Sequence, residues 1–144
     1  MRFPPVFTLV LVTLASWALF CHAAPVGSSS TPSSELIEAT SPENGASYRI
    51  GETVLAQVDV LDDTNLDDDT KVKLTLQRAI PKPDVNVFLA DVELSDLEDG
   101  YEFLLTEEHQ GDPARANRYR IRFSFYDNEG NHHYVDSGVF KILL

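Results

Sequence analysis

Beyond Leu36, apolar and polar residues alternate with a period of two, and clusters of turn-forming residues interrupt the alternation roughly every eight to twelve residues. From Thr53 to Leu61, Val54, Ala56, Val58 and Val60 fall on one face and Thr53, Gln57 and Asp59 on the other. Successive side chains of a strand point to opposite faces, so the valine face is the one a sheet buries. Lys71 to Ile80 repeats the device, with Val72, Leu74 and Leu76 inward and Lys71, Lys73 and Thr75 outward. Arg118 to Tyr126 is the cleanest case: Tyr119, Ile121, Phe123 and Phe125 oppose Arg118, Arg120 and Arg122. A short first strand spans Leu36 to Thr40, Val85 to Leu94 and Tyr101 to Thr106 flank an acidic turn at Asp96 to Gly100, and His133 to Leu143 closes the chain. Ser41-Pro42-Glu43-Asn44-Gly45, Pro81-Lys82-Pro83-Asp84 and Asp127-Asn128-Glu129-Gly130-Asn131 are the main breaks, the second because proline cannot donate to a ladder. No stretch of helical period competes. About seven strands in a little over 100 residues predict an all-β fold, an immunoglobulin-like or fibronectin-like antiparallel β-sandwich. Tyr119, two positions before core residue Ile121, predicts a tyrosine corner, with Ile121 where an antibody domain carries its second cysteine.

The pattern differs before residue 36. Met1 and Arg2 form a minimal positive segment, and Val6 to Phe20 is an uncharged run rich in Val, Leu, Phe and Ala. That run is short for a membrane span, which needs about 20 residues, and fits the apolar region of a secretory signal. Cys21-His22-Ala23 supplies the small side chains of a cleavage site, and Pro25 disfavours cutting one residue later, so residues 1–23 are expected to be a signal peptide. Residues 24–35, APVGSSSTPSSE, hold five Ser, one Thr and two Pro with almost nothing to bury, and predict a flexible leader, a plain spacer or an O-glycosylated one. The sandwich domain is then expected over 36–144.

Composition narrows the function. The chain has 144 residues, 11 Lys and Arg against 23 Asp and Glu, and a formal net charge of −12. Phosphate recognition rests on basic surface, so nucleic acid is excluded as a partner, and charge-driven binding to anionic membranes is disfavoured for the same reason. The single cysteine, Cys21, and the single tryptophan, Trp17, both lie in the signal segment, so no disulfide framework or Cys-rich zinc site is expected in the mature domain. Stability must then come from burial of apolar surface. Eight Phe and five Tyr make that feasible.

No catalytic constellation emerges. Six Asp fall between Asp59 and Asp69 and eight acids between Asp91 and Glu108, but they sit in predicted turns and on outward strand positions, where charge runs mainly solubilise. Asp62 to Asp69 carries five Asp and an Asn, oxygen donors suited to calcium, yet lacks the alternate ligands, central Gly and terminal Glu of an EF-hand loop. Whether segment 59–69 binds calcium stays open at this point, and no metal site or cofactor is assigned. His132 and His133 are adjacent, so in a strand they point to opposite faces and cannot chelate one ion together. The candidate binding residues are Arg118, Arg120 and Arg122, a row of guanidinium groups on one strand face of an acidic molecule. Such a row can hold carboxylates or stack on sugar rings and aromatics, or it can neutralise acids on neighbouring strands such as Glu102 or Asp136.

Ser41-Pro42-Glu43-Asn44-Gly45-Ala46-Ser47-Tyr48-Arg49-Ile50-Gly51-Glu52-Thr53-Val54 resembles the opening of the Ig-like domain in fungal Ser/Thr-rich cell-wall proteins. Asp136-Ser137-Gly138-Val139-Phe140-Lys141-Ile142, with Tyr119-Arg120-Ile121-Arg122 before it, is similar to that family's close. The relatives implied are the yeast cell-wall glucan assembly group and its GPI-anchored kin. The chain departs from them in lacking a Trp early in the domain and in stopping at Ile142-Leu143-Leu144 without a Ser/Thr-rich tail or GPI signal, so no stable membrane anchor is expected. Taken with the signal segment and the lack of a catalytic constellation, the resemblance implies a small secreted, non-enzymatic binding module of the fungal cell wall or extracellular space, with a cell-wall polysaccharide or an extracellular protein as partner, and a monomer is expected. A secreted effector-like protein that binds host or competitor proteins is the alternative, and a metal-dependent enzyme the third.

Overall fold

The computed structural model describes residues 36–61, 64–80, 83–112 and 114–143. The signal peptide and leader expected over 1–35 lie outside the described residues, as do Asp62 and Asp63 of the acidic segment. Among the described residues there are nine strands: β1 (Ile37–Ser41), β2 (Ser47–Arg49), β3 (Thr53–Val60), β4 (Lys71–Arg78), β5 (Asn86–Glu93), β6 (Tyr101–Leu104), β7 (Tyr119–Tyr126), β8 (His132–Asp136) and β9 (Lys141–Leu143). A short helix, α1 (Leu94–Asp99), links β5 to β6. One sheet has the order β1-β3-β6 and the other β5-β4-β7-β8, all pairs antiparallel, while β2 and β9 form a small parallel pair. Two antiparallel sheets whose strands alternate between layers in this order form an immunoglobulin-like or fibronectin-like β-sandwich.

The alternation explains the layers. Val54, Ala56 and Val58 of β3 face Val72, Leu74 and Leu76 of β4 and Ile121 and Phe123 of β7, all at 0% exposure, in one apolar cluster. Tyr119, Phe125, Phe140 and Ile142 extend the same core. The tyrosine corner is in place: Tyr119 is buried and its hydroxyl donates to the carbonyl of Gln110. Burial pushes the Tyr119 phenol above its ordinary range, partly offset by the neighbouring Arg78 cation.

Three features differ from the alternation reading. The acidic segment after β5 coils into α1, because Leu94 and Leu97 are three residues apart and both bury on one helix face. Gly100 ends the helix at φ 103, its N–H donating to Asp96 O at 3.0 Å. The closing strand divides at Ser137-Gly138. Ser137 exchanges hydrogen bonds with the Ile121 backbone through its own N–H, at 2.8 Å, and its hydroxyl, at 2.9 Å. A Cβ on Gly138 would lie 2.3 Å from the backbone nitrogen of Asn44, so glycine lets the opening turn pack directly on the closing strand. The turn is stitched there by Gly45 N–H to Val139 O at 2.7 Å and Lys141 N–H to Ala46 O at 2.9 Å, and β2 pairs with β9 immediately beyond. The two ends of the domain that carry the cell-wall resemblance therefore form one seam.

Candidate functional site

The outer face of the sheet β5-β4-β7-β8 carries the exposed rings Phe88 and Tyr126 together with Lys73, Arg120 and Arg122. The register places Asn86, Gln77 and Arg120 in one row across β5, β4 and β7. The next row runs Phe88, Thr75, Arg122 and Asp136, and a third runs Asp91, Lys73, Ser124 and Tyr134. Directly opposed residues of neighbouring strands are within side-chain reach, so each row acts as a unit. Lys73, Thr75, Gln77, Asn86, Arg122, Ser124, Tyr126 and His132 line a shallow depression of about 400 Å³ on this face.

Asp136 of β8 organises the arginines. Its two oxygens accept from Arg122 Nε and Nη2 at 2.7 and 2.9 Å, and Arg120 Nη1 lies 3.1 Å from the same carboxylate. The fork-to-carboxylate geometry holds Arg122 flat, with its guanidinium 4.1 Å over the Tyr134 ring. Hydrogen bonding to Asp136 pushes the Arg122 cation further toward its charged form. Arg118 stands apart: it precedes β7, is exposed, and borders a separate depression beside Asn44, Phe140 and Lys141. Of the three arginines, the structure thus brings Arg120 and Arg122 together. Glu102 lies on β6 in the other sheet and belongs to neither.

Aromatic rings flank the polar centre. Phe88 is 54% exposed on the β5 side, with Lys73 Nζ 5.6 Å from its ring centroid. Tyr126, 63% exposed, lies 5.0 Å from His132, and both stand on the β7-β8 side. His133 points the other way from His132: it stacks on Phe125 and bonds Asp127 at 2.8 Å. The orientation of Phe88 was hidden in the sequence because β5 carries a bulge, shifting the register between Leu74 and Thr75 of its partner. Strict alternation fails across that extra residue.

The floor of the depression contains an unpaired group. Gln77 is only 9% exposed, and its Nε2 donates to Asn86 Oδ1 at 3.2 Å, while its Oε1 has no hydrogen-bond partner. Arg120, its directly opposed neighbour, likewise has a buried Nε without a hydrogen-bond partner. Buried polar groups are overwhelmingly paired, so an unmade acceptor in the lining and an unmade donor on the directly opposed residue mark a place that can take up a further group.

A second cation is fully buried elsewhere. Arg78 follows Val72, Leu74 and Leu76 on the inward register of β4 and reaches the loop before β7, where it donates to the carbonyls of Gln110 and Asp112 at 2.9 and 3.0 Å. Its Nε lies 3.0 Å from Asp84 Oδ1, an ion-pair contact whose angle does not make a hydrogen bond. That site is a clamp for the loop. Acids line a further open depression, where Asp91, Glu93, Asp96, Asp99 and Glu102 meet between β5, α1 and β6. Among the described residues, no three His, Cys, Asp or Glu are placed to hold a metal ion.

No protein-family profile matches the chain. No curated protein matches it. Among solved structures it is similar to a fibronectin(III)-like module of Clostridium thermocellum CbhA, at 13% identity and a TM-score of 0.37, over 74% of this chain and 93% of that one. The assignment of the fold rests on the strand order described above.

Proposed function

We propose that this chain is a secreted, non-enzymatic binding module of the fungal cell wall or extracellular space, and that it holds an extracellular polymer on the outer face of the sheet β5-β4-β7-β8. The observation that carries the reading is a pair of exposed rings at a polar depression: Tyr126 lines it, and Phe88 lies beside Lys73 of its lining. A large apolar ring left in water on a rigid sheet is disfavoured for folding and useful for contact. Arg120 and Arg122, held by Asp136, form the cationic part of the face, while Arg118, the third arginine of the row, precedes the strand and borders another depression. Secretion rests on the N-terminal apolar run and its small-residue site, and the fungal wall rests on the resemblance of the two seam segments. The seam itself is scaffold, since its residues bond one another.

The test is a co-sedimentation of the full chain, expressed in a secreting host, with insoluble glucan and chitin. The wild type is expected in the pellet, and Phe88→Ala is expected to return it to the supernatant. Failure to sediment, together with cross-linking to extracellular proteins that Phe88→Ala leaves unchanged, would overturn the use of this face and favour the effector-like alternative.

A further inference from the structure

We infer that the depression on the outer sheet face reads a neutral, hydroxyl-bearing sugar chain, with the Gln77 and Arg120 row as the hydroxyl reader and Phe88 as a stacking platform. This deepens the proposed function and rests on its assignment of the face. Gln77 Oε1 is an acceptor without a donor, and Arg120 Nε is a donor without an acceptor. The two residues are directly opposed across β4 and β7. The Gln77 amide nitrogen is committed to Asn86 on the β5 side, which turns the oxygen of that planar group away from Asn86. A hydroxyl is the simplest group that satisfies both, because it donates one hydrogen bond and accepts others. A carboxylate or phosphate accepts only and leaves Gln77 Oε1 unpaired.

Charge points the same way. Lys71 is paired with Glu93 at 2.6 Å, Arg120 and Arg122 share Asp136, and Lys73 is opposed by Asp91 in the register. The cations of this face are thus largely compensated, on a molecule of net charge −12 that repels polyanions. The aromatic side matches a sugar ring, whose C–H groups carry slight positive charge and lie against the electron-rich face of Phe88. Tyr126 stands two strands from Phe88 and four residues along β7 from Arg122, which shares the row of Phe88, so a strand spacing of about 4.8 Å and a rise of about 3.4 Å per residue put the two exposed rings roughly 17 Å apart, the span of an oligosaccharide and not of one ring.

The experiment is isothermal titration of the full chain with soluble laminari-, manno- and chito-oligosaccharides, the corresponding monosaccharides, and a polyuronate oligosaccharide, paired with melting curves. A neutral oligosaccharide is expected to bind and its monosaccharide not. Phe88→Ala and Gln77→Met should each weaken binding about tenfold or more. Gln77→Met should change the melting temperature little, because loss of the hydrogen bond to the exposed Asn86 is offset by removal of an unpaired buried carbonyl at kept volume. Neutral binding that survives Gln77→Met overturns the hydroxyl reader and leaves the face assignment standing. Binding of the polyuronate alone, lost in Phe88→Ala, overturns the neutral-ligand inference and again leaves the face. Binding of neutral sugar untouched by Phe88→Ala overturns both.

Discussion

Arg78 is fully buried, and its guanidinium supplies donors to two loop carbonyls, lies 5.4 Å over the Tyr119 ring and contacts Asp84. A buried cation is tolerated only with such partners, and removing it strands all of them at once. Arg78→Met is therefore expected to cost about 3–5 kcal/mol in urea denaturation. Arg78→Lys should recover only part of that, since a single ammonium cannot span the same fork of acceptors. Tyr119→Phe, which removes one of two donors to the Gln110 carbonyl and leaves Arg78 as the other, should cost about 1 kcal/mol. The signal for this clamp was present in the sequence, where an arginine continues the apolar register of Val72, Leu74 and Leu76. Its partners were not legible, because Gln110 and Asp112 lie in a loop whose path no periodicity describes. The binding face divides in the same way. Arg120 and Arg122 were read from alternation, and their carboxylate, Asp136, from cross-strand pairing. Gln77 gave no signal, since its missing partner exists only as a property of packed neighbours.

At the level of elements, the long strands follow from period-two patterning, whereas the three-residue strands β2 and β9 and the single turn and a half of α1 are too short for any period to register. Their cause is tertiary: β2 and β9 form because Gly138 lets the opening turn lie against the chain end. Gly138→Ala should push Glu43 and Asn44 backbone atoms from 2.6 Å or less and lower stability by about 3 kcal/mol or more, measured by chemical denaturation. Gly45→Ala provides the contrast. Its Cβ meets nothing within 4 Å, so only the backbone φ of 89 is strained, at about 1–2 kcal/mol. The β7-β8 hairpin has its own lock. Bonds from Asn131 and His133, with further donation from the Glu129 and Asn131 N–H groups, hold the Asp127 carboxyl well below the usual carboxylate range. A depressed folded value means stabilisation that is complete above the unfolded value of about 3.9 and is lost as pH falls below it. The melting temperature of Asp127→Asn should therefore lie below wild type at neutral pH, and the gap should close progressively below about pH 4.

Across the whole molecule, acids outnumber bases by 23 to 11, so pairing cannot neutralise the surface whatever its arrangement. The excess gathers in turns and around α1, where five acids border one depression, while the outer sheet face pairs Lys71 with Glu93 and sets Arg120 and Arg122 together on Asp136. Like charges crowded on a compact domain repel, and that repulsion is relieved by unfolding. Salt screens exposed charges with a Debye length of about 10 Å at 0.1 M, against about 30 Å at 0.01 M. Raising sodium chloride from about 0.01 to 0.1 M should accordingly raise the melting temperature, by relieving repulsion more than it weakens the few exposed ion pairs. The same titration separates ligand classes. A neutral sugar on the sheet face changes no long-range charge, so its affinity should stay flat across this range. A polyanion must approach against the net charge, and its binding would strengthen as salt hides the acids. Flat affinity alongside rising thermal stability is the outcome that a neutral ligand on a self-repelling acidic sandwich requires, and it is read by repeating the titrations and melting curves at the two ionic strengths.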